Sequence, residues 1–111
     1  MYRSWKERRL QSAPIDTIAE GLATGTPYFA AVRTFIDQLD DMLLVSDDEM
    51  REAIALLLRA ARQLAEPSGA ASTAAVLKLA ERLKGKKVVM VLSGGNLPNE
   101  ELRRILGRRR R

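Results

Sequence analysis

The run Lys86-Lys87-Val88-Val89-Met90-Val91-Leu92-Ser93-Gly94-Gly95-Asn96 constrains the fold of this 111-residue chain more than any other segment. Its apolar centre reads as a buried strand, which needs partners on its edges and cover on its faces. A second continuous apolar run, Met42-Leu43-Leu44-Val45, is also long enough for a buried strand. The helical patterns between the two imply a parallel sheet with helical crossovers, yet two strands do not make a stable parallel sheet. The expectation is an α/β fold: an incomplete three-layer parallel-sheet domain with few strands and flanking helices, mostly helical by residue count, and part of a larger sheet. In such folds ligands bind beyond the C-terminal ends of strands, which makes Ser93-Gly94-Gly95-Asn96 the candidate site. On pattern alone the same loop also reads as an ordinary strand-to-helix turn, or as a weak anion site at a helix N-terminus.

Four helical stretches surround these runs. Phe29, Val32, Phe35, Ile36 and Leu39 follow i, i+3, i+4 spacing and predict a helix over 28–39. Ser46-Asp47-Asp48-Glu49 is a capping box, in which the serine oxygen takes the Glu49 amide and the Glu49 carboxylate reaches back. Behind it Met50, Ala53, Ile54, Leu57, Leu58, Ala61 and Leu64 form one apolar stripe, so this helix should reach about residue 65. Glu66-Pro67-Ser68-Gly69-Ala70 reads as an interruption, and a helix of small residues follows from about Ala71 to Leu83, ended by Gly85. Pro98 suits the first position of a terminal helix running to about Leu106. Residues 1–16 carry no such pattern and are expected to be irregular.

Composition removes whole classes of chemistry. The chain has no cysteine and no histidine, so disulfides, thiolate nucleophiles, histidine general bases and zinc sites built on these residues are out. No stretch approaches the roughly 18 apolar residues of a membrane span, and the N-terminus lacks the apolar core of a signal peptide. A soluble cytoplasmic protein is the expectation. The net charge of +5 is unevenly placed. Residues 1–9 hold four basic side chains against one acid, and residues 100–111 hold six arginines against two glutamates. The remaining body, with nine basic and eleven acidic groups, is mildly acidic. A terminal run of arginine such as Arg108–Arg111 can release counterions from a phosphate backbone, but no basic stripe or aromatic platform supports it, so specific nucleic-acid binding is not expected. Tyr2 and Trp5 among these basic residues are expected to pack on a partner surface or stay unfolded. Asp47, Asp48 and Glu49 are close enough in sequence to suggest a metal cluster, but helix capping accounts for them.

Three motifs, taken together, point further. Thr17-Ile18-Ala19-Glu20-Gly21-Leu22-Ala23, Glu66-Pro67-Ser68-Gly69-Ala70 and Val91-Leu92-Ser93-Gly94-Gly95-Asn96 stand in an order and approximate spacing that resemble the threonine and serine dehydratases. These are pyridoxal-phosphate-dependent ammonia-lyases of the tryptophan-synthase-β fold type, related to serine racemase. The resemblance runs from about Met1 to Leu106 and corresponds to the C-terminal part of that family's catalytic domain, leaving 107–111 as a basic tail. Asp40-Asp41 before the capped helix fits it too.

The resemblance implies pyridoxal phosphate as cofactor and gives roles to four residues. Ser93 matches the serine whose hydroxyl meets the cofactor's ring nitrogen. Gly94, with Gly95, lets the backbone run close to the ring. Glu66 matches a carboxylate near the cofactor, although its position before Pro67 also reads as helix punctuation. Gly21 lies in a segment adjoining the cofactor pocket. The family's Schiff-base lysine belongs to a Ser-Phe-Lys-type motif that this chain does not contain; Lys6, Lys78, Lys84, Lys86 and Lys87 stand in other contexts. The glycine-rich phosphate loop and the Ser-x-Gly-Asn-His substrate segment are missing as well. The parent reaction takes water from a small hydroxyamino acid and yields a 2-oxo acid and ammonia. This chain alone is expected to be inactive and, lacking lysine and phosphate loop, a poor binder of the cofactor. Three readings follow: a fragment, half of a split enzyme completed by an N-terminal dehydratase portion, and a non-catalytic interaction module with a basic tail; the partner expected is that N-terminal portion or, as a homo-oligomer, further copies of the chain. No catalytic residue and no metal ligand is assigned, and no regulatory domain is expected after the arginines.

Overall fold

The protein is described by a computed structural model covering residues 1–107. Helix α1 is Tyr2–Glu7, α2 is Phe29–Phe35, α3 is Asp47–Ala61, α4 is Pro67–Lys78, α5 is Ala80–Leu83 and α6 is Asn99–Gly107; a 3-10 turn, Glu20–Leu22, precedes α2. The tail Arg108–Arg111 lies outside the described residues, and Gly107 closes α6 rather than opening the tail.

Helix α3 is the organiser. Ser46 Oγ accepts the Glu49 amide at 3.2 Å, and the Ser46 amide donates to Glu49 Oε2 at 2.6 Å, completing the capping box. Its stripe then buries Met50, Ala53 and Ile54 against α4 and α6, with Ala19, Ala65, Ala70, Ala74 and Ile105 completing the core. Most of these are alanines, so the helix backbones can approach closely, while Met50, Ile54 and Ile105 give the core its long aliphatic side chains. Replacing Ser46 with alanine leaves the Glu49 amide without its partner, while the amide of residue 46 can still donate to the Glu49 carboxylate, and should cost about 1 kcal/mol; a chemical-denaturation midpoint measures it.

The three acids at the start of α3 are all engaged in holding the fold. Asp47 accepts the Thr17 hydroxyl at 2.7 Å and the Ile18 amide at 3.1 Å, pinning the segment that leads into the 3-10 turn. Asp48 receives Arg51 at 2.8 Å, and Glu49 pairs with Lys78 of α4 at 3.0 Å. Arg51 is buried and reaches Glu101 of α6 at 2.6 Å, which ties α6 across the end of α3. Among the described residues no group of three or more His, Cys, Asp or Glu side chains could hold a metal ion.

Two expectations need correction. Neither Met42–Val45 nor Lys87–Leu92 is a strand; both are irregular, and no strand exists among the described residues. A strand is defined by the ladder it shares with a neighbour, and neither run has one here. The second run is left open, with Val89 93% and Val91 71% exposed. The N-terminal residues are not irregular throughout: 2–7 form α1, whose buried Ser4 donates to the Gln11 carbonyl and accepts the Gln11 amide at 2.9 Å. Tyr2 and Trp5 face each other within α1, ring centroids 6.5 Å apart, and border a shallow cavity of about 460 Å³ together with Ile36 and Leu39. Helix α2 stops at Phe35, short of Leu39, and of its apolar face only Val32 is buried. Among the described residues no helix is long and apolar enough to cross a membrane.

Candidate functional site

The segment that reads as an interruption is the start of a helix. Pro67 occupies the first turn of α4, where its fixed φ suits the helix and its missing amide costs nothing. Glu66 is therefore the N-cap residue, in an extended conformation with φ −75° and ψ 165°. Its side chain does not cap its own helix. It turns instead toward the loop that follows Leu92.

There both carboxylate oxygens are engaged. Oε1 accepts the Ser68 hydroxyl at 2.6 Å and Oε2 accepts the Asn96 amide at 3.0 Å. The Glu66 amide donates to the Gly94 carbonyl at 3.2 Å. Two α4 residues complete the seam: Ser72 Oγ donates to the Val91 carbonyl at 2.6 Å, and Gly69 packs against the Ser93 carbonyl. The loop 91–96 is thus fastened along the first turns of α4 at three successive points.

Glycine is required at two places in this seam. Gly94 has φ +72°, and a Cβ on it would meet the Glu66 carboxylate, whose oxygens lie 2.6 and 2.7 Å from the ideal Cβ position. A Cβ on Gly69 would overlap the Ser93 carbonyl oxygen and stand 2.9 Å from that of Gly94. Gly21, in the 3-10 turn, approaches the same place from the other side, its ideal Cβ position 2.8 Å from Ser68 Oγ and 3.7 Å from Glu66 Oε1. Ser93 is exposed, and among the described residues its hydroxyl makes no hydrogen bond, leaving it available to a ligand.

The Ser68 hydroxyl, and after it the Asn96 amide, hold the Glu66 carboxyl below its ordinary value of 4.5. Both donors favour the charged form. Because the folded value is lowered, the stabilisation is complete above the unfolded value and fades as pH falls through the folded one. The loop should therefore loosen on acidification below about pH 4.5, while α3 still holds. Amide hydrogen exchange at residues 94–96 against that of Ile54 measures the difference.

All four residues singled out in the sequence, Ser93, Gly94, Glu66 and Gly21, thus gather at one place, although they come from three separate segments. Sequence reasoning gave two others, Ser68 and Gly69, no role, and did not foresee how Asn96 of the candidate loop takes part. Ser68 and Gly69 sit inside a quoted motif, but their contacts are long-range or sideways. Asn96 acts through its backbone amide, which leaves no side-chain signature. The cavity beside Tyr2 and Trp5 involves none of these residues.

Residues 1–94 match the family model described as pyridoxal-phosphate dependent enzyme. The L-threonine ammonia-lyase of Thermotoga maritima is 35% identical over 106 residues, covering 96% of this chain and 26% of its own length. The crystal structure of a threonine deaminase from T.th. superposes with a TM-score of 0.78 at 34% identity, covering 86% of this chain and 35% of that one. The serine racemase of Dictyostelium discoideum gives a TM-score of 0.76 at 32% identity, covering 87% and 31% respectively. The chain therefore spans about a quarter to a third of the length of these relatives.

Proposed function

This chain belongs to the pyridoxal-phosphate-dependent enzyme family, and from that premise we propose that it forms the ring-nitrogen edge of a cofactor site of the threonine and serine dehydratase type. The observation that carries the reading is the convergence of the Ser93–Asn96 loop on the N-terminal turn of α4 and on Gly21. That edge fits a flat aromatic ring with a basic nitrogen. It offers a free neutral hydroxyl at Ser93, on a loop held in place by α4.

Bound there, pyridoxal phosphate supplies the electron-withdrawing ring that lets a hydroxyamino acid lose water and end as a 2-oxo acid and ammonia. Ser93 keeps its proton on Oγ and donates it as a hydrogen bond to the ring nitrogen. A hydroxyl is too weak an acid to transfer that proton, so the nitrogen stays largely neutral, which suits elimination over transamination. The main chain of 93–96 would lie beside the ring edge, with the Cβ-free sides of Gly94 and Gly95 turned toward Glu66 and the Leu64 carbonyl, and Glu66 and Gly21 would border it from α4 and the 3-10 turn.

The chain contributes this edge and not the lysine or the phosphate loop, so the reading makes it inactive alone and active in an assembly with a portion that carries them. The open apolar run 88–92, with Val89 and Val91 largely exposed, supports a docking role for it. Co-expression with an N-terminal dehydratase portion tests this: ammonia release from threonine or serine should appear in the assembly and fall on Ser93→Ala. The competing reading, a non-catalytic module with a basic tail, requires a monodisperse chain that neither docks nor responds to pyridoxal phosphate.

A further inference from the structure

We propose that Glu66 is a positioning residue: its carboxylate latches the Asn96 amide and the Ser68 hydroxyl, and so fixes where the Ser93 hydroxyl stands. The inference rests on the reading of Ser93 as the contact to the cofactor's ring nitrogen. It departs from a view of Glu66 as a cofactor ligand, because both of its oxygens are already engaged within the chain, at 2.6 and 3.0 Å.

Ser93 lies between Leu92 and a glycine pair, and Gly94 has the left-handed φ of +72°. Such a loop has many conformations of similar energy, and Ser93 itself makes no side-chain bond that would select one. Selection must come from its flanks. On the near side the Ser72 hydroxyl holds the Val91 carbonyl, and on the far side Glu66 holds both the Gly94 carbonyl, through its amide, and the Asn96 amide, through its carboxylate. Ser93 sits between these two clamps, and its own carbonyl rests on Gly69. Ser68 orients the latch by donating to the oxygen that Asn96 leaves open. A charged acceptor makes the stronger bond to an amide, which gives a reason for a carboxylate here. No ion pair joins Glu66 among the described residues, so its charge serves these two donors.

The test uses the full isotope-labelled chain, free of cofactor, followed by amide nuclear magnetic resonance. The Asn96 amide shift should follow the titration of Glu66, with a midpoint below the ordinary carboxylate value. In Glu66→Ala the Asn96 amide should exchange about tenfold faster, with Ile54 exchange unchanged. In Glu66→Gln the titration should vanish while slow exchange persists, because the carboxamide oxygen still accepts the amide. Unchanged Asn96 exchange in a folded Glu66→Ala overturns the proposal. Should that variant lose Ile54 protection, the Gln variant decides: an Asn96 amide that still titrates there overturns it equally. In the two-chain assembly, Glu66→Ala and Ser93→Ala should each lower ammonia release, and the double variant should be no worse than the weaker single one, since both act through one hydroxyl. An assembly that never releases ammonia, with the Asn96 titration intact, overturns the cofactor reading and supports the latch.

Discussion

Replacing Gly69 with alanine is expected to destabilise the chain by about 1–3 kcal/mol, the range typical of overpacking, and to displace the Ser93 loop from α4. The sign is opposite to what helix propensity dictates. An exposed helical glycine gains about 1 kcal/mol on becoming alanine, and Gly107 at the end of α6, with no atom of the described residues within 4 Å of its ideal Cβ position, should behave that way or be neutral. At Gly69 the added methyl falls on the Ser93 carbonyl oxygen, with the Gly94 carbonyl oxygen 2.9 Å away. These are main-chain atoms, so relief requires the loop to move as a whole, breaking the bonds from Ser72 to Val91 and from Asn96 to Glu66. Urea unfolding of the two variants side by side, with exchange at residues 91–96, measures both consequences. A Gly69→Ala chain as stable as Gly107→Ala, with its loop unchanged, would show that α4 and the loop are not packed as described.

Ser93→Ala should leave the isolated chain folded and unaltered in stability, because the exposed hydroxyl supports nothing within it. In an assembly with an N-terminal dehydratase portion, the same change should lower ammonia release roughly two- to tenfold, as expected for losing a hydrogen bond of about 0.5–1.5 kcal/mol between neutral groups. Ser93→Thr keeps the hydroxyl and should retain more activity than alanine. A structural role predicts the reverse pattern, with stability lost in the isolated chain.

How much of this was legible in the sequence depends on the range of the interactions. The capping box at Ser46 is written in four consecutive residues, and the stripe from Met50 to Ile54 in a local period, so α3 begins where the pattern puts it; it ends at Ala61 and not at about residue 65, because Arg62 turns left-handed and breaks the helix before Leu64. Boundaries are less local: the terminal helix starts at Asn99 rather than Pro98, within the usual margin for helix ends. Helix α4 begins four residues before Ala71, because Pro67-Ser68-Gly69 has the composition of a break although Pro67 is a favourable first residue. Helix α1 carries no apolar period and could not be seen. The two apolar runs have strand composition, but composition does not supply the neighbour that a strand needs. For the site, resemblance singled out four residues that the fold brings together. It could not show that Glu66 turns away from its own helix, or that Asn96 takes part through a backbone amide, since both depend on segments about thirty residues apart being folded together.

The central claim is that this chain is one edge of a pyridoxal-phosphate site, and cofactor retention tests it most directly. The chain, an N-terminal dehydratase portion carrying the lysine, and their co-expressed assembly would each be passed through gel filtration after incubation with pyridoxal phosphate, and the absorption spectrum of the protein peak recorded. The account predicts a co-eluting assembly that retains the cofactor, a chain that does not retain it alone, and a Ser93→Ala assembly whose retained cofactor has a shifted spectrum. An assembly that forms but binds the cofactor with the same spectrum whether residue 93 is serine or alanine would contradict it.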